Sequence, residues 1–328
     1  MQNADSALSQ LKILLNDELA QVKHLLIDMA KSQNIALIDK ISHHIMRAGG
    51  KHIRPLLCLA SANLFHKNSK NHIYLSAAIE CIHTATLLHD DVIDESKTRR
   101  GLQTANHLWG DKASILVGDY LFSQAFKLMV RTNSLEALGI LAHTSAIIAE
   151  SEVWQLQEIA NLDIPLASYL SLINAKTAKL FAAASEVGAL TAGASVAEIS
   201  AIASYGEALG MCFQIVDDIL DYTSINADFG KQLGNDFYEG KVTAPLIFTI
   251  NNANSSTKEL IGRLLNNRTH GDFLKIMKII KEYNGIEEAI MLAKEYCRQG
   301  QKYLELLPES EIKTILHNLI TFVVERDY

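Results

Sequence analysis

The sequence is poor in the residues that punctuate β-structure. Four prolines and 17 glycines are few for 328 residues, and no run of alternating side chains closed by hairpin turns is found, so a sandwich or barrel is excluded. Cysteine is equally scarce. Cys58, Cys81, Cys212 and Cys297 are scattered through apolar segments with no CxxC pair or Cys/His cluster, which points to buried free thiols in a reducing compartment rather than to a disulfide framework. Cationic excess is absent too. A formal charge of −7 argues against a nucleic-acid backbone as the main ligand, because such binding relies on counterion release by dense Lys/Arg patches. The longest stretch free of Asp, Glu, Lys and Arg is 16 residues, 242 to 257, and includes Pro245, so no transmembrane segment is expected. The N-terminus MQNADSALSQLKILLNDELAQ lacks the basic start and apolar core of a signal peptide, and a cytoplasmic protein is expected. No linker, low-complexity tract or tandem repeat divides the chain, which is read as one domain over 1–328.

What is present is 48% hydrophobic and 20% charged residues, in long Ala/Leu/Ile-rich runs with polar residues at helical spacing. That pattern is all-α. Helices are expected near 5–31, 34–46, 53–66, 70–95, 111–130, 133–160, 165–190, 196–222, 240–253, 256–267, 271–282, 285–306 and 309–325. Two connections carry glycines and charges: SKTRRGLQTANHLWG (96–110) and DYTSINADFGKQLGNDFYEG (221–240).

Each connection follows a run of carboxylates. TATLLHDDVID ends in Asp90, Asp91 and Asp94, and FQIVDDILD repeats the DDxxD spacing with Asp217, Asp218 and Asp221. On a helix such residues crowd one face and repel unless a cation sits among them. Magnesium suits the pattern, since it takes hard oxygen ligands and is commonly held by carboxylates together with substrate phosphates. Two such helices facing across a cavity would clamp a diphosphate and neutralise it as a leaving group. A single charged residue is usually a solvated surface charge. Arg99 and Arg100, one loop beyond the first motif, together with Lys51 and Arg54 in GGKHIRP (49–55), nevertheless suggest a second anion site. Lys176-Thr177 interrupts an Ala/Leu-rich segment, and Lys231 and Lys241 bracket the second connection.

GGKHIRP, ECIHTATLLHDDVIDESKTRRG, ILVGDYLF, Lys176-Thr177, GMCFQIVDDILDY, FGKQLGND, EGKVTAPL and the closing VVERDY occur in that order. Over most of its length the chain thereby resembles the trans-isoprenyl diphosphate synthases, or polyprenyl synthetases, and among them the bacterial long-chain enzymes of octaprenyl type. The resemblance implies an α-helical bundle around a deep central cavity, usually as a homodimer. It assigns Asp90, Asp91, Asp94, Asp217, Asp218 and Asp221 to magnesium and the allylic diphosphate, with Arg99, Lys176, Lys231 and Lys241 on that diphosphate. It assigns Gly50, Lys51, Arg54, His83 and Arg100 to isopentenyl diphosphate, and Thr177 and Gln214 to the allylic cation or its departing group. The implied reaction is loss of pyrophosphate, attack of the isopentenyl double bond and loss of a proton, with water excluded. His52 departs from the family pattern, in which many members carry Arg; altered affinity is the expected effect.

Ala85 and Thr86, one turn before Asp90, are small where short-chain members carry an aromatic plug, so an open channel for a long product is expected. Phe126 and Met129, on an adjacent helix, are candidates for its floor, although aromatics at helical spacing are more often plain core. So apolar a product suggests a peripheral membrane contact at release and, by analogy, use as a quinone side chain. A short-chain synthase is the alternative. His89-Asp90 would also suit a metal-dependent phosphohydrolase, and Glu80-x-x-His83 half of a di-iron site, but neither explains the second DDxxD or GGKHIRP. A terpene cyclase has no need of an isopentenyl diphosphate site, and a subunit without catalysis is disfavoured by two complete aspartate motifs.

Overall fold

A computed structural model describes residues 4–65, 70–223 and 233–325. It is all-α, as expected. The chain runs through α1 (Ala4–Leu14), α2 (Asn16–Met29), α3 (Ala36–Arg47), α4 (Ile53–Leu64) and α5 (Asn71–Ile93). A two-residue ribbon, Thr98–Arg99 paired antiparallel with Leu102–Gln103, leads to α6 (Ala105–Trp109), α7 (Asp111–Arg131) and α8 (Leu135–Gln157). Next come α9 (Leu166–Ile173), a π-turn (Asn174–Ala178), α10 (Lys179–Ala192) and α11 (Val196–Thr223). The remainder is α12 (Asn235–Glu239), α13 (Ala244–Asn252), α14 (Ser255–Asn267), α15 (His270–Glu282), α16 (Gly285–Glu305) and α17 (Glu311–Val324).

Local chemistry sets many of these boundaries. Ser134, Asn254 and Ser310 accept hydrogen bonds from the exposed N–H groups of α8, α14 and α17. Thr269 and Asp272 form a reciprocal capping box on α15, satisfying donors that would otherwise be orphaned. Gly193 ends α10 at φ +76°, a left-handed conformation in which a Cβ is costly.

The main core runs from Ala7 to Val324, with a smaller cluster around Ile41, Ala85 and Leu121 beside it. Helix α10 lies at its centre, packed on α4, α5 and α11, while α5 packs along α7 and α11 along α16. Small residues permit that closeness. A Cβ at Gly188 would lie 2.3 Å from the Cys58 carbonyl oxygen of α4, and one at Gly206 would lie 2.6 Å from the Phe181 carbonyl oxygen of α10. Fully buried side chains such as Phe181, Leu56 and Leu75 each contribute about 1.5–3 kcal/mol of burial free energy. Among the described residues α11 alone is long and apolar enough to cross a membrane; 61% of its most apolar window is buried in the bundle, and it serves here as a core helix.

Several elements differ from expectation. The helix expected over 5–31 breaks at Leu15, the segment 165–190 contains the π-turn, and α6, α12 and the ribbon were not anticipated from residue pattern.

Candidate active site

Both aspartate triplets lie at helix C-termini. Asp90 and Asp91 are in the last turn of α5 with Asp94 as its cap, and Asp217, Asp218 and Asp221 fall in the last two turns of α11. Helix C-termini carry partial negative charge, so the macrodipole makes this the unfavourable end for carboxylates. The charges need cations, and the fold supplies some. Arg99 Nε donates to Asp91 Oδ1 at 2.8 Å, and Lys241 Nζ lies 3.3 and 3.4 Å from the two oxygens of Asp94. That second contact ties the end of α5 to the segment following the second triplet.

Four of the six aspartates show two kinds of surroundings. Asp91 is 2% exposed and bound to Arg99. Asp218, 3% exposed, accepts from Gln214 Nε2 at 2.8 Å on Oδ1 and from Tyr169 OH at 2.6 Å on Oδ2. Asp221 accepts the backbone N–H groups of Asn235 and Asp236 at 3.1 and 2.9 Å. These three brace the walls. Asp90 is different, because its Oδ1 is buried with no hydrogen-bond partner, a costly state for a carboxylate oxygen unless something positive meets it. Burial raises its carboxyl to about 6, helped by Glu152 and Asp94 and opposed by Lys176 and Arg99. Among the described residues no three of Asp, Glu, His and Cys already converge as a ready-made metal cage. A hard divalent ion completed by substrate oxygens suits such an open carboxylate set.

The π-turn places Lys176 and Thr177 opposite these groups. Lys176 Nζ donates to Glu152 Oε2 of α8 at 2.7 Å, and Thr177 Oγ1 donates to Gln214 Oε1 at 2.8 Å. Tyr169, Lys176, Thr177, Gln214, Asp218 and Lys241 share the lining of a cleft of about 100 Å³. Filled ligand pockets are nearer 300–1,000 Å³, so this cleft by itself is smaller than a whole prenyl diphosphate.

A second group of polar side chains lies at the start of α4. Arg54 is half-buried, its Nη1 3.1 Å from His83 Nε2 and its guanidinium 4.5 Å from the centroid of the Phe181 ring. Desolvation draws it down to about 10 against the charges of Glu80 and Asp217; at neutral pH it remains a cation. Burial, with Arg54, Arg100 and Arg99 close by, pulls His83 well below the ordinary histidine range, so its neutral ring accepts from Arg54. Arg54 Nε is buried without a partner. Arg100 reaches back to the Gly49 carbonyl oxygen and lies against Gly50, where a Cβ would meet its guanidinium at 2.9 Å. His52, at φ +51°, turns its Nδ1 to Glu80 Oε1 at 2.9 Å. Lys51 is exposed beside it.

Lys231 lies outside the described residues. Phe126 is 38% exposed and packs edge-on against Phe122 on the outer side of α7, whereas Met129 is buried with Leu121, Ala125 and Leu128. One residue is about 100° on a helix, enough to turn Phe126 away from the interior. The structure thus places Phe126 on the outer side of α7 and Met129 in the interior. Ala85 packs with Ile41, Leu88, Val117 and Leu121 toward α3 and α7. Thr86, four residues before Asp90, lies one turn below it on the same face. Tyr169, Glu152 and Glu80 were missed as site residues; their partners are remote in sequence, and no local pattern marks them.

A family profile for polyprenyl synthetases matches residues 35–282. The octaprenyl diphosphate synthase of Haemophilus influenzae is 37% identical over 298 residues, covering 90% of this chain and 91% of that one. A solved polyprenyl synthase from Caulobacter crescentus, complexed with calcium and isoprenyl diphosphate, superposes with a TM-score of 0.94 at 41% identity, covering 99% of both chains. A decaprenyl diphosphate synthase from Rhodobacter capsulatus gives 0.93 at 40% identity, covering 97% of this chain and 99% of that one. The chain belongs to the polyprenyl synthetase family. It is a prenyltransferase, and its relatives include octaprenyl and decaprenyl diphosphate synthases.

Proposed function

We propose that the protein condenses isopentenyl diphosphate repeatedly onto an allylic primer, farnesyl diphosphate in the first instance, to about octaprenyl length. The observation that carries this reading is the pairing of two anion-binding regions. One is the aspartate-rimmed cleft with Lys176 and Lys241. The other is the half-buried Arg54–His83 pair with Arg100 at the GGKHIRP loop. A phosphohydrolase or a cyclase needs only one of these.

Magnesium is the proposed ion, held by Asp90, Asp94 and Asp217. It would supply charge neutralisation for the departing pyrophosphate. Arg99, Lys176 and Lys241, with Lys231 from the following connection, bind and orient the allylic diphosphate. Lys51, Arg54, Arg100 and the Gly50 backbone orient isopentenyl diphosphate, and Thr177 and Gln214 face the reacting carbon. Buried walls exclude water, which would otherwise quench an allylic cation. The continuous core supports a single domain over 1–328. Exposed Leu116, Phe126 and Val130 on α7, with Val153 and Leu156 on α8, form apolar faces suited to a second copy. The four free, buried cysteines fit a reducing cytoplasm. A transient bilayer contact is the proposed route of product release, and a quinone side chain the proposed use.

The test is incubation with magnesium, farnesyl diphosphate and labelled isopentenyl diphosphate, followed by sizing of the dephosphorylated products. A ladder ending near eight units is expected. Arrest at three or four units would replace this reading with the short-chain one, and absence of incorporation would refute chain elongation.

A further inference from the structure

A chain of hydrogen bonds runs through four residues that line the cleft. Tyr169 OH donates to Asp218 Oδ2 at 2.6 Å, Gln214 Nε2 donates to Asp218 Oδ1 at 2.8 Å, and Thr177 Oγ1 donates to Gln214 Oε1 at 2.8 Å. Tyr169, Thr177 and Asp218 are each under 7% exposed, and all four residues line the cleft. The polarity of the chain follows from elementary chemistry. Asp218 Oδ1 accepts from the Gln214 NH₂, which leaves the amide oxygen turned toward Thr177. Thr177 then commits its one hydroxyl proton to Gln214. Both lone pairs of Thr177 Oγ1 are left as acceptors, free to face positive charge.

We propose that Tyr169 is a positioning residue for prenyl transfer: by holding Asp218, it fixes the orientation of Gln214 and keeps the Thr177 oxygen presented lone pairs first to the cationic carbon of the allylic substrate. Tyr169 itself touches no reacting atom. Its ring is anchored in the core from α9, so its hydroxyl is a rigid stop for Asp218. Without that stop the carboxylate can rotate, the amide can turn over, and Thr177 can direct its proton into the cleft. Preorganised dipoles aimed at developing charge are the costliest groups to disorder, because they must then reorient during the reaction. The π-turn contributes by carrying Thr177 to this line, since an inserted residue shifts the register of every side chain beyond it.

The inference rests on the elongation reading, and binding separates the two. The probes are a tertiary farnesyl amine, cationic at neutral pH and carrying its charge where the allylic cation would form, and inorganic pyrophosphate with magnesium. Affinity for each is measured by calorimetry on the wild type, Tyr169→Phe, Asp218→Asn and Thr177→Val. Tyr169→Phe is expected to weaken the amine about tenfold and leave pyrophosphate unchanged. Asp218→Asn should do the same. In the Thr177→Val background, Tyr169→Phe should have no further effect, because the oxygen it orients is gone. In turnover the same variant should lose about 10- to 100-fold in kcat with KM for isopentenyl diphosphate unchanged. Equal weakening of both probes, unchanged amine binding, or a full additional loss in the Thr177→Val background would overturn the proposal. A wild type that binds the amine but makes no polyprenyl product would count against elongation while leaving the binding test of Tyr169 intact.

Discussion

A carboxyl raised to about 6 by burial, with one oxygen lacking any donor, makes Asp90 the residue at which pH and metal compete. The sign follows from linkage. The folded protein holds a proton on this group more tightly than an ordinary Asp, so below about pH 6 a cation must displace that proton in order to bind. Metal affinity is therefore expected to be nearly flat above this pH and to fall about tenfold per unit below it. Calorimetric titration of magnesium with pyrophosphate across pH 5–8 checks this. Asp90→Asn should bind weakly at every pH and lose the slope; a slope unaltered in Asp90→Asn would assign the proton to another group. The aspartates themselves were legible in sequence because DDxxD is local. The division of labour among them was not, since it depends on partners such as Tyr169 for Asp218 and the α12 backbone for Asp221. His52 was recognised as a departure, but its engagement with Glu80, 28 residues away, became visible only once α4 lay against α5.

At the scale of elements, the long helices followed the apolar periodicity closely. Helices α7, α8, α11 and α16 each begin and end within three residues of expectation. The exceptions have physical causes. The break at Leu15 leaves the apolar pattern uninterrupted, so no breaker residue announces it. The π-turn at Asn174–Ala178 is paid for by tertiary contacts, Lys176 to Glu152 and Asn174 to Glu207, which no local propensity encodes. Glycine placement is a sharper signal in retrospect, because Gly188 sits where α10 meets the α4 backbone. A Cβ there would lie 2.3 Å from the Cys58 carbonyl oxygen and 2.9 Å from the Ser61 Cβ, forcing two central helices apart. Gly188→Ala gains helix propensity, about 1 kcal/mol, yet overpacking of this kind costs roughly 1–3 kcal/mol. Net destabilisation is expected, read as a melting temperature lowered by a few degrees. An unchanged or higher melting temperature would show that α10 can slide to absorb the methyl.

For the whole molecule the problem is amphiphilic. One end of the substrate is a diphosphate that needs cations, and the other is a hydrocarbon that lengthens with every cycle. The bundle separates the two by placing charges at the C-termini of α5 and α11 and apolar residues below them, where Ile79 and Ile82 are fully buried on α5. The cleft of about 100 Å³ beside Thr177 is smaller than a typical ligand pocket, and Thr86 is not among the residues that line it. An extended eight-unit tail, on the order of 30 Å or more, needs the depth of a helix of at least about 20 residues, and α5 has 23. A bulky ring in place of Thr86 therefore sets a barrier one turn below the reacting carbon without touching the diphosphate sites. Thr86→Phe is expected to shift the longest product to three or four units while leaving KM for isopentenyl diphosphate within about twofold. Ala85→Phe acts differently, because Ala85 packs toward α3 and α7; its main effect should be lower thermal stability, with less shortening than Thr86→Phe. Product sizing on the two variants decides between them. Equal shortening by both would mean that the tail runs between α5 and α7, and an unshortened product from Thr86→Phe would place its path on another face of α5 altogether.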